Sequence, residues 1–189
     1  MQPTRTLTAH CTLSHPADGQ PLLTIDNEHA KAEISLFGAH VLRYQRHGEP
    51  ASLWLSDKAV LDGSKPIRGG IPLCWPWFGP APARVGSGKP AHGFARTSLW
   101  TLDGVSDHGD GTLVHLSLRD TDASRALWPH AFELELDVLV GKELSLVLTT
   151  RNTGKTPLTY NAALHTYLQI SAPEAVSVTG LGEPYADKL

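Results

Sequence analysis

This 189-residue chain has too few cysteines for a disulfide framework, since Cys11 and Cys74 are its only two. Nor do they show the paired spacing of a zinc site, so both read as core thiols. No apolar run reaches the roughly 18 residues of a membrane-spanning helix, and Met1-Gln-Pro-Thr-Arg5 lacks the apolar centre of a signal peptide. The expectation is a soluble, cytoplasmic protein. Excess charge is also missing. Sixteen basic residues stand against 19 acidic ones, and a formal charge of −3 gives no basic field for nucleic acid. No repeat, low-complexity stretch or charge run marks a linker, so a single domain over residues 1–189 is expected. Helix signals are scarce: Asp122 is placed to cap one short turn through Leu127, which Pro129 stops. The chain lacks a Gly-x-Ser-x-Gly elbow, a P-loop and a Rossmann glycine pattern. It also lacks a His-x-His pair of the kind that builds a cupin-type metal site.

What is present is β-pattern. Leu7, Ala9, Cys11 and Leu13 alternate with polar residues, as do Ala32, Ile34 and Leu36, and then Val114, Leu116 and Leu118. Gly38 offers a turn before Val41-Leu-Arg-Tyr44. The longest series is Phe132, Leu134, Leu136, Val138 and Val140, and Gly141-Lys142 reads as a hairpin turn into Leu144, Leu146 and Leu148. His108-Gly-Asp-Gly111 reads as a second hairpin turn. Many strands joined by irregular loops predict an all-β, antiparallel β-sandwich rather than a parallel α/β sheet.

Two segments carry chemistry. The first holds Arg68-Gly-Gly-Ile-Pro-Leu-Cys-Trp-Pro-Trp-Phe-Gly79 and Ala91-His-Gly-Phe-Ala-Arg96. Six prolines and seven glycines fall between Asp57 and Thr97, so no long regular strand or helix is expected there. A loop of that length in a compact domain is either a rigid connector with buried aromatics or a ligand loop, and the second reading is preferred. The second segment runs from 158 to 170. There Leu158, Tyr160, Ala162, Leu164 and Leu168 fall on one strand face, and Asn161, His165, Tyr167 and Gln169 on the other. His165 is thus presented among polar neighbours, either as a functional imidazole or as a solvated strand histidine.

These motifs occur in a familiar order. Arg68-Gly-Gly-Ile-Pro, Trp75-Pro-Trp-Phe-Gly79, His92-Gly-Phe-Ala-Arg96, Trp128-Pro-His-Ala-Phe132, Ala163-Leu-His-Thr-Tyr167 and Gly180-Leu-Gly-Glu-Pro-Tyr-Ala-Asp-Lys188 resemble those of the hexose-6-phosphate mutarotases, or glucose-6-phosphate 1-epimerases. These enzymes belong to the galactose-mutarotase-like superfamily. The resemblance runs from about residue 20 to the end of the chain. It implies a large antiparallel β-sandwich holding a sugar on a concave face, and an isomerase that interconverts α and β anomers of a hexose 6-phosphate.

Anomer exchange needs a general acid at the ring oxygen and a general base at the C1 hydroxyl. Imidazole suits the acid role because it titrates near neutrality. By resemblance, His165 matches the family's acid and His92 a histidine that contacts the ligand. Arg68 and Arg96 match arginines on the phosphosugar, where a planar guanidinium fork fits phosphate oxygens. Asp187 matches an acidic position that binds sugar hydroxyls. Arg96 could alternatively be a structural arginine paired with a carboxylate. Trp75, Trp77 and Phe78 could form an apolar platform for the sugar or pack inward. Arg84 and Lys89 are weaker candidates for the phosphate and read rather as solvated loop charges. No cofactor is implied, and a monomer is expected.

One departure stands out. The family's base is a glutamate well downstream of the acid histidine, whereas this sequence stops at Leu189 with Glu174, Glu183 and Asp187 as its last carboxylates. The chain therefore reads as the N-terminal two-thirds of the family sandwich, apparently incomplete at its C-terminus. An uncovered apolar face and unpaired strand edges should result. Two other readings stay open: a non-catalytic phosphosugar-binding sandwich, and a structural β-domain with no site of its own.

Overall fold

The computed structural model describes residues 2–180 and 182. Alternating sequence becomes strand nearly everywhere it was expected, and the strands form two antiparallel sheets. The first has the order β1-β2-β3-β4-β5, from β1 (Gln2–Thr6), β2 (Cys11–His15), β3 (Leu22–Asp26), β4 (Ala30–Ser35) and β5 (His40–Arg46). A short β6 (Leu73–Cys74) lies in the proline-rich loop. The second sheet is the meander β7 (Thr101–His108), β8 (Gly111–Arg119), β9 (Phe132–Gly141) and β10 (Leu144–Asn152). The only α-helix among the described residues, α1 (Asp122–Leu127), links β8 to β9. No described helix is long and apolar enough to cross a membrane.

The two sheets face each other through side chains of alternating parity. Leu23, Ile25, Ala32 and Ile34 from the first meet Val114, Leu116, Leu134, Leu136 and Val138 from the second in one buried cluster. Removing that apolar surface from water is the main stabilising term. Polar bonds set the register between the sheets. Asn27 donates from Nδ2 to the Val140 carbonyl at 2.8 Å and to Thr112 Oγ1 at 3.1 Å, and Tyr44 donates to the Gly141 carbonyl at 2.9 Å. Cys11 and Cys74 are buried free thiols, and burial pushes Cys11 up to about 11.

Three local expectations need correction. The series Leu7 to Leu13 is not one strand. The Leu7 and Thr8 amides both donate to the Cys11 carbonyl, closing a turn between β1 and β2. Alternation alone does not separate a strand from a tight hairpin. The cap of α1 is Thr121, not Asp122: Thr121 Oγ1 accepts from the Ser124 amide, and Ser124 Oγ accepts from the Thr121 amide. The 158–170 segment is extended but regular only at β11 (Ala163–Leu164), which pairs with β6. Its apolar face is open. Leu168 is 65% exposed and Leu164 42%, on the wall of a groove of about 340 Å³ shared with Tyr44, Leu53, Ile71, Leu144 and Leu146. This is the uncovered face expected from the sequence.

A bulge in β5 redirects two of its side chains. Glu33 pairs with Arg43 but Ile34 pairs with Val41, so Leu42 is an extra residue. Val41 and Tyr44 thereby join the central core, while Leu42 joins a satellite cluster with Phe37 and Ile67 beneath the loop.

Candidate functional site

The proline-rich loop is held between two neighbours. On one side, the Phe94 and Ala95 amides donate to the Trp75 carbonyl, and the His92 amide donates to the Gly79 carbonyl at 2.7 Å. On the other, the amides of Asn161, His165 and Tyr167 donate to the carbonyls of Pro76, Pro72 and Gly70. Asn161 Oδ1 also accepts from the Phe78 amide at 2.6 Å. The alternation read from sequence therefore works, with the odd positions of the 158–170 segment turned toward the loop.

These contacts assemble a strip of side chains. The His92 and His165 rings lie edge to face with centroids 5.9 Å apart. Phe78 touches both, at 5.0 Å from His92 and 5.7 Å from His165. His165 stacks on Tyr167 at 5.0 Å, and Tyr167 packs on Trp54 at 5.8 Å. The Arg68 guanidinium carbon sits 6.0 Å from the centroid of the Trp54 ring. The strip is an open face: Arg68 and Phe78 are exposed, and both histidines are half-buried.

Local backbone chemistry aims each ring. His92 adopts a left-handed φ of 66°, followed by Gly93 at 69°. A Cβ on Gly93 would lie 2.0 Å from the Trp75 carbonyl oxygen, so glycine alone fits there. The Gly79 amide donates to His92 Nδ1 at 3.2 Å, which makes Nδ1 the acceptor. In the neutral ring the proton then sits on Nε2.

Of the residues expected from the sequence, His92 and His165 touch each other, and Arg68 joins them through Trp54 and Tyr167. Arg96 lies on the adjoining loop, where its Nη2 donates to the Ala91 carbonyl at 3.0 Å and its Nε is buried without a partner among the described residues. It has no carboxylate partner among the described residues, so the alternative of a carboxylate-paired structural arginine is not what is seen. Asp187 lies outside the described residues. The platform reading divides: Trp75 and Trp77 are buried at 0% and 1% exposure, whereas Phe78 at 44% stays on the face. Lys89 Nζ donates to the Ala126 carbonyl at 2.9 Å, at an exposed position.

Sequence reasoning missed Trp54 and His40. Trp54 carries no local signal, since it joins the strip through its amide bond to the Tyr167 carbonyl, a contact across the whole chain. His40 is fully buried behind the strip, and its Nε2 donates to the Gly69 carbonyl at 2.7 Å. Burial lowers its pKa to about 4, opposed by the Gly69 bond and reinforced by Arg96. An unfolded chain protonates this ring near the ordinary 6.5, so falling pH favours the unfolded state between 6.5 and 4. The full effect is about 3 kcal/mol. Urea denaturation at pH 7 and pH 5 should show a loss of stability that is smaller in a His40→Gln variant. Among the described residues, no cluster of three or more His, Cys, Asp or Glu side chains is arranged for a metal ion.

Known proteins share both fold and sequence with this chain. A protein of Escherichia coli K12 named "Putative glucose-6-phosphate 1-epimerase" is 38% identical over 172 residues, covering 91% of this chain and 56% of the relative. The crystal structure of a "putative mutarotase" from Salmonella typhimurium superposes with a TM-score of 0.81 at 34% identity, over 89% of this chain and 55% of that one. A galactose mutarotase-like protein of Clostridium acetobutylicum shares the fold alone, with a TM-score of 0.59 at 18% identity over 74% of this chain and 47% of its own. The chain thus spans about half the length of the relatives it matches. The profile of the family described as aldose 1-epimerase matches residues 21–187, and the chain belongs to that family.

Proposed function

We propose that this chain carries the proton-donating and phosphate-binding parts of a hexose-6-phosphate mutarotase, a glucose-6-phosphate 1-epimerase. The observation that carries this reading is the unbroken strip from His92 through His165, Tyr167 and Trp54 to Arg68. It sets two imidazoles at one end and a guanidinium without a carboxylate partner among the described residues at the other. Aromatic surface for the C–H face of a sugar lies between them.

Ring opening breaks the bond between C1 and the ring oxygen, removes the proton of the C1 hydroxyl and delivers one to the ring oxygen. His165 is the general acid at that oxygen, and His92, donating from Nε2, holds the same atom as charge develops on it. Arg68 takes the phosphate, Arg96 approaches it from the adjoining loop, and Phe78 and Tyr167 cover the sugar. Asp187 is assigned to a sugar hydroxyl. The carboxylate that accepts the C1 proton is assigned to the part of the fold that the longer relatives carry beyond the matched region. A second reading, a phosphosugar-binding sandwich without catalysis, draws on one observation: among the described residues no carboxylate contacts His165.

The test is anomer exchange by magnetisation-transfer NMR, using the full-length gene product with glucose 6-phosphate and with glucose. Exchange should favour the phosphorylated sugar. In Arg68→Ala the KM for glucose 6-phosphate should rise by about 10- to 100-fold, the value of a charge-assisted hydrogen bond, with little change for glucose. Equal effects on both sugars would remove Arg68 from phosphate binding. Tight binding of glucose 6-phosphate with no exchange would favour the second reading.

A further inference from the structure

Behind the strip stands a polar group that the proposed chemistry does not use. His40 opens β5, and the Leu42 bulge turns it from the inter-sheet core toward the loop. It is 0% exposed, and its Nε2–H donates to the Gly69 carbonyl at 2.7 Å. That carbonyl belongs to the peptide joining two left-handed glycines, Gly69 at φ 105° and Gly70 at φ 62°. A glycine pair has more conformational freedom than any other dipeptide, so its shape must be imposed from outside. Three bonds impose it, beside the one from the Tyr167 amide to the Gly70 carbonyl. The Ser56 amide holds the Arg68 carbonyl, the Gly70 amide donates to the Trp54 carbonyl at 2.7 Å, and His40 fixes the carbonyl between them. A Cβ on Gly70 would come 3.0 Å from His40 Nε2, so ring and turn are in direct contact.

The second arginine, Arg96, is near enough to the ring to act on it electrostatically. Among the described residues His40 Nδ1 is buried without a partner, and so is Arg96 Nε. With its proton on Nε2, the ring offers a lone pair at Nδ1, whereas Arg96 Nε is a donor. The backbone of Arg96 packs on Gly38, two residues before His40, where a Cβ would meet the Arg96 carbonyl oxygen at 2.6 Å. His40 thus stands between the two loops that present arginine.

We infer that His40 is a positioning residue for phosphate recognition: by fixing the Gly69 carbonyl it sets the direction in which Arg68 leaves the turn over Trp54. This role rests on the phosphosugar reading of the strip. A neutral donor suits the task, because a protonated ring would add like charge near Arg96.

The experiment compares full-length wild type with His40→Gln, whose amide can still donate to Gly69, and with His40→Leu, which fills the space without a donor. KM and kcat are measured for glucose 6-phosphate and for glucose, with dissociation constants for glucose 6-phosphate and inorganic phosphate measured alongside. His40→Leu should raise the KM and dissociation constant for the phosphorylated ligand by about tenfold, with kcat and the glucose KM within about twofold of wild type. His40→Gln should recover most of that loss. Should the leucine variant not fold, His40→Asn, whose shorter amide falls short of Gly69, supplies the same contrast. Unchanged phosphate affinity, or an equal loss for both sugars, would overturn the positioning role. A wild type that shows no preference for phosphorylated sugar would instead overturn the phosphosugar reading, and the role of His40 with it.

Discussion

His165→Ala in the full-length gene product is expected to lower anomer exchange by about 10²–10⁴-fold, the usual contribution of a general acid. The fold should survive. The ring makes contacts of 5.0–5.9 Å between centroids with Tyr167, Phe78 and His92 and no side-chain hydrogen bond among the described residues. What anchors the segment is the His165 amide, which donates to the Pro72 carbonyl and is untouched by the substitution. Because the side chain is half-buried on an open face, its removal leaves no sealed cavity. A urea midpoint close to wild type beside a collapsed kcat separates chemistry from stability. Full exchange in this variant would remove His165 from the mechanism.

Gly93→Ala should be the most damaging small substitution in the chain. The new Cβ would sit 2.0 Å from the Trp75 carbonyl oxygen and 2.3 Å from its carbon, at a φ of +69°. Trp75 cannot retreat: it is fully buried against Phe94, Trp128 and Phe132. Backbone strain and displaced core together should cost at least about 3 kcal/mol, a large share of a domain's stability. The control is Gly88→Ala. Gly88 has a similar φ of +75° but nothing within 4 Å of a Cβ, so only the conformational cost of about 1–2 kcal/mol applies. Urea denaturation of both variants isolates the steric contact. If the two lose equal stability, the close approach of the His92 turn to Trp75 is not what holds it.

The strands were legible because each buries one face, and period-two patterning records that burial directly: Phe132 to Val140 reads true at every second position. The limits of reading lie where geometry overrides pattern. A bulge at Leu42 reverses the faces of β5, and nothing in Val41-Leu-Arg-Tyr44 announces it. The turn at residues 7–10 hides within an unbroken alternation. At the site, Arg68 and His92 were visible because glycine and proline around them mark imposed backbone shapes, and His165 because alternation sets it among polar neighbours. Trp54 and His40 were not visible, since each belongs to the site through a contact with residues remote in sequence or with backbone alone.

The distribution of tryptophans gives the strip its own optical signal. Of the five, Trp75, Trp77, Trp100 and Trp128 are buried at 0–3% exposure, so their emission is blue-shifted and steady. Trp54 alone is half-buried on the strip, beneath the Arg68 guanidinium. Whatever settles between Arg68 and Tyr167 displaces water from that one indole. Occupancy of the strip should therefore change intrinsic fluorescence without a label, against the constant emission of four indoles locked in the core.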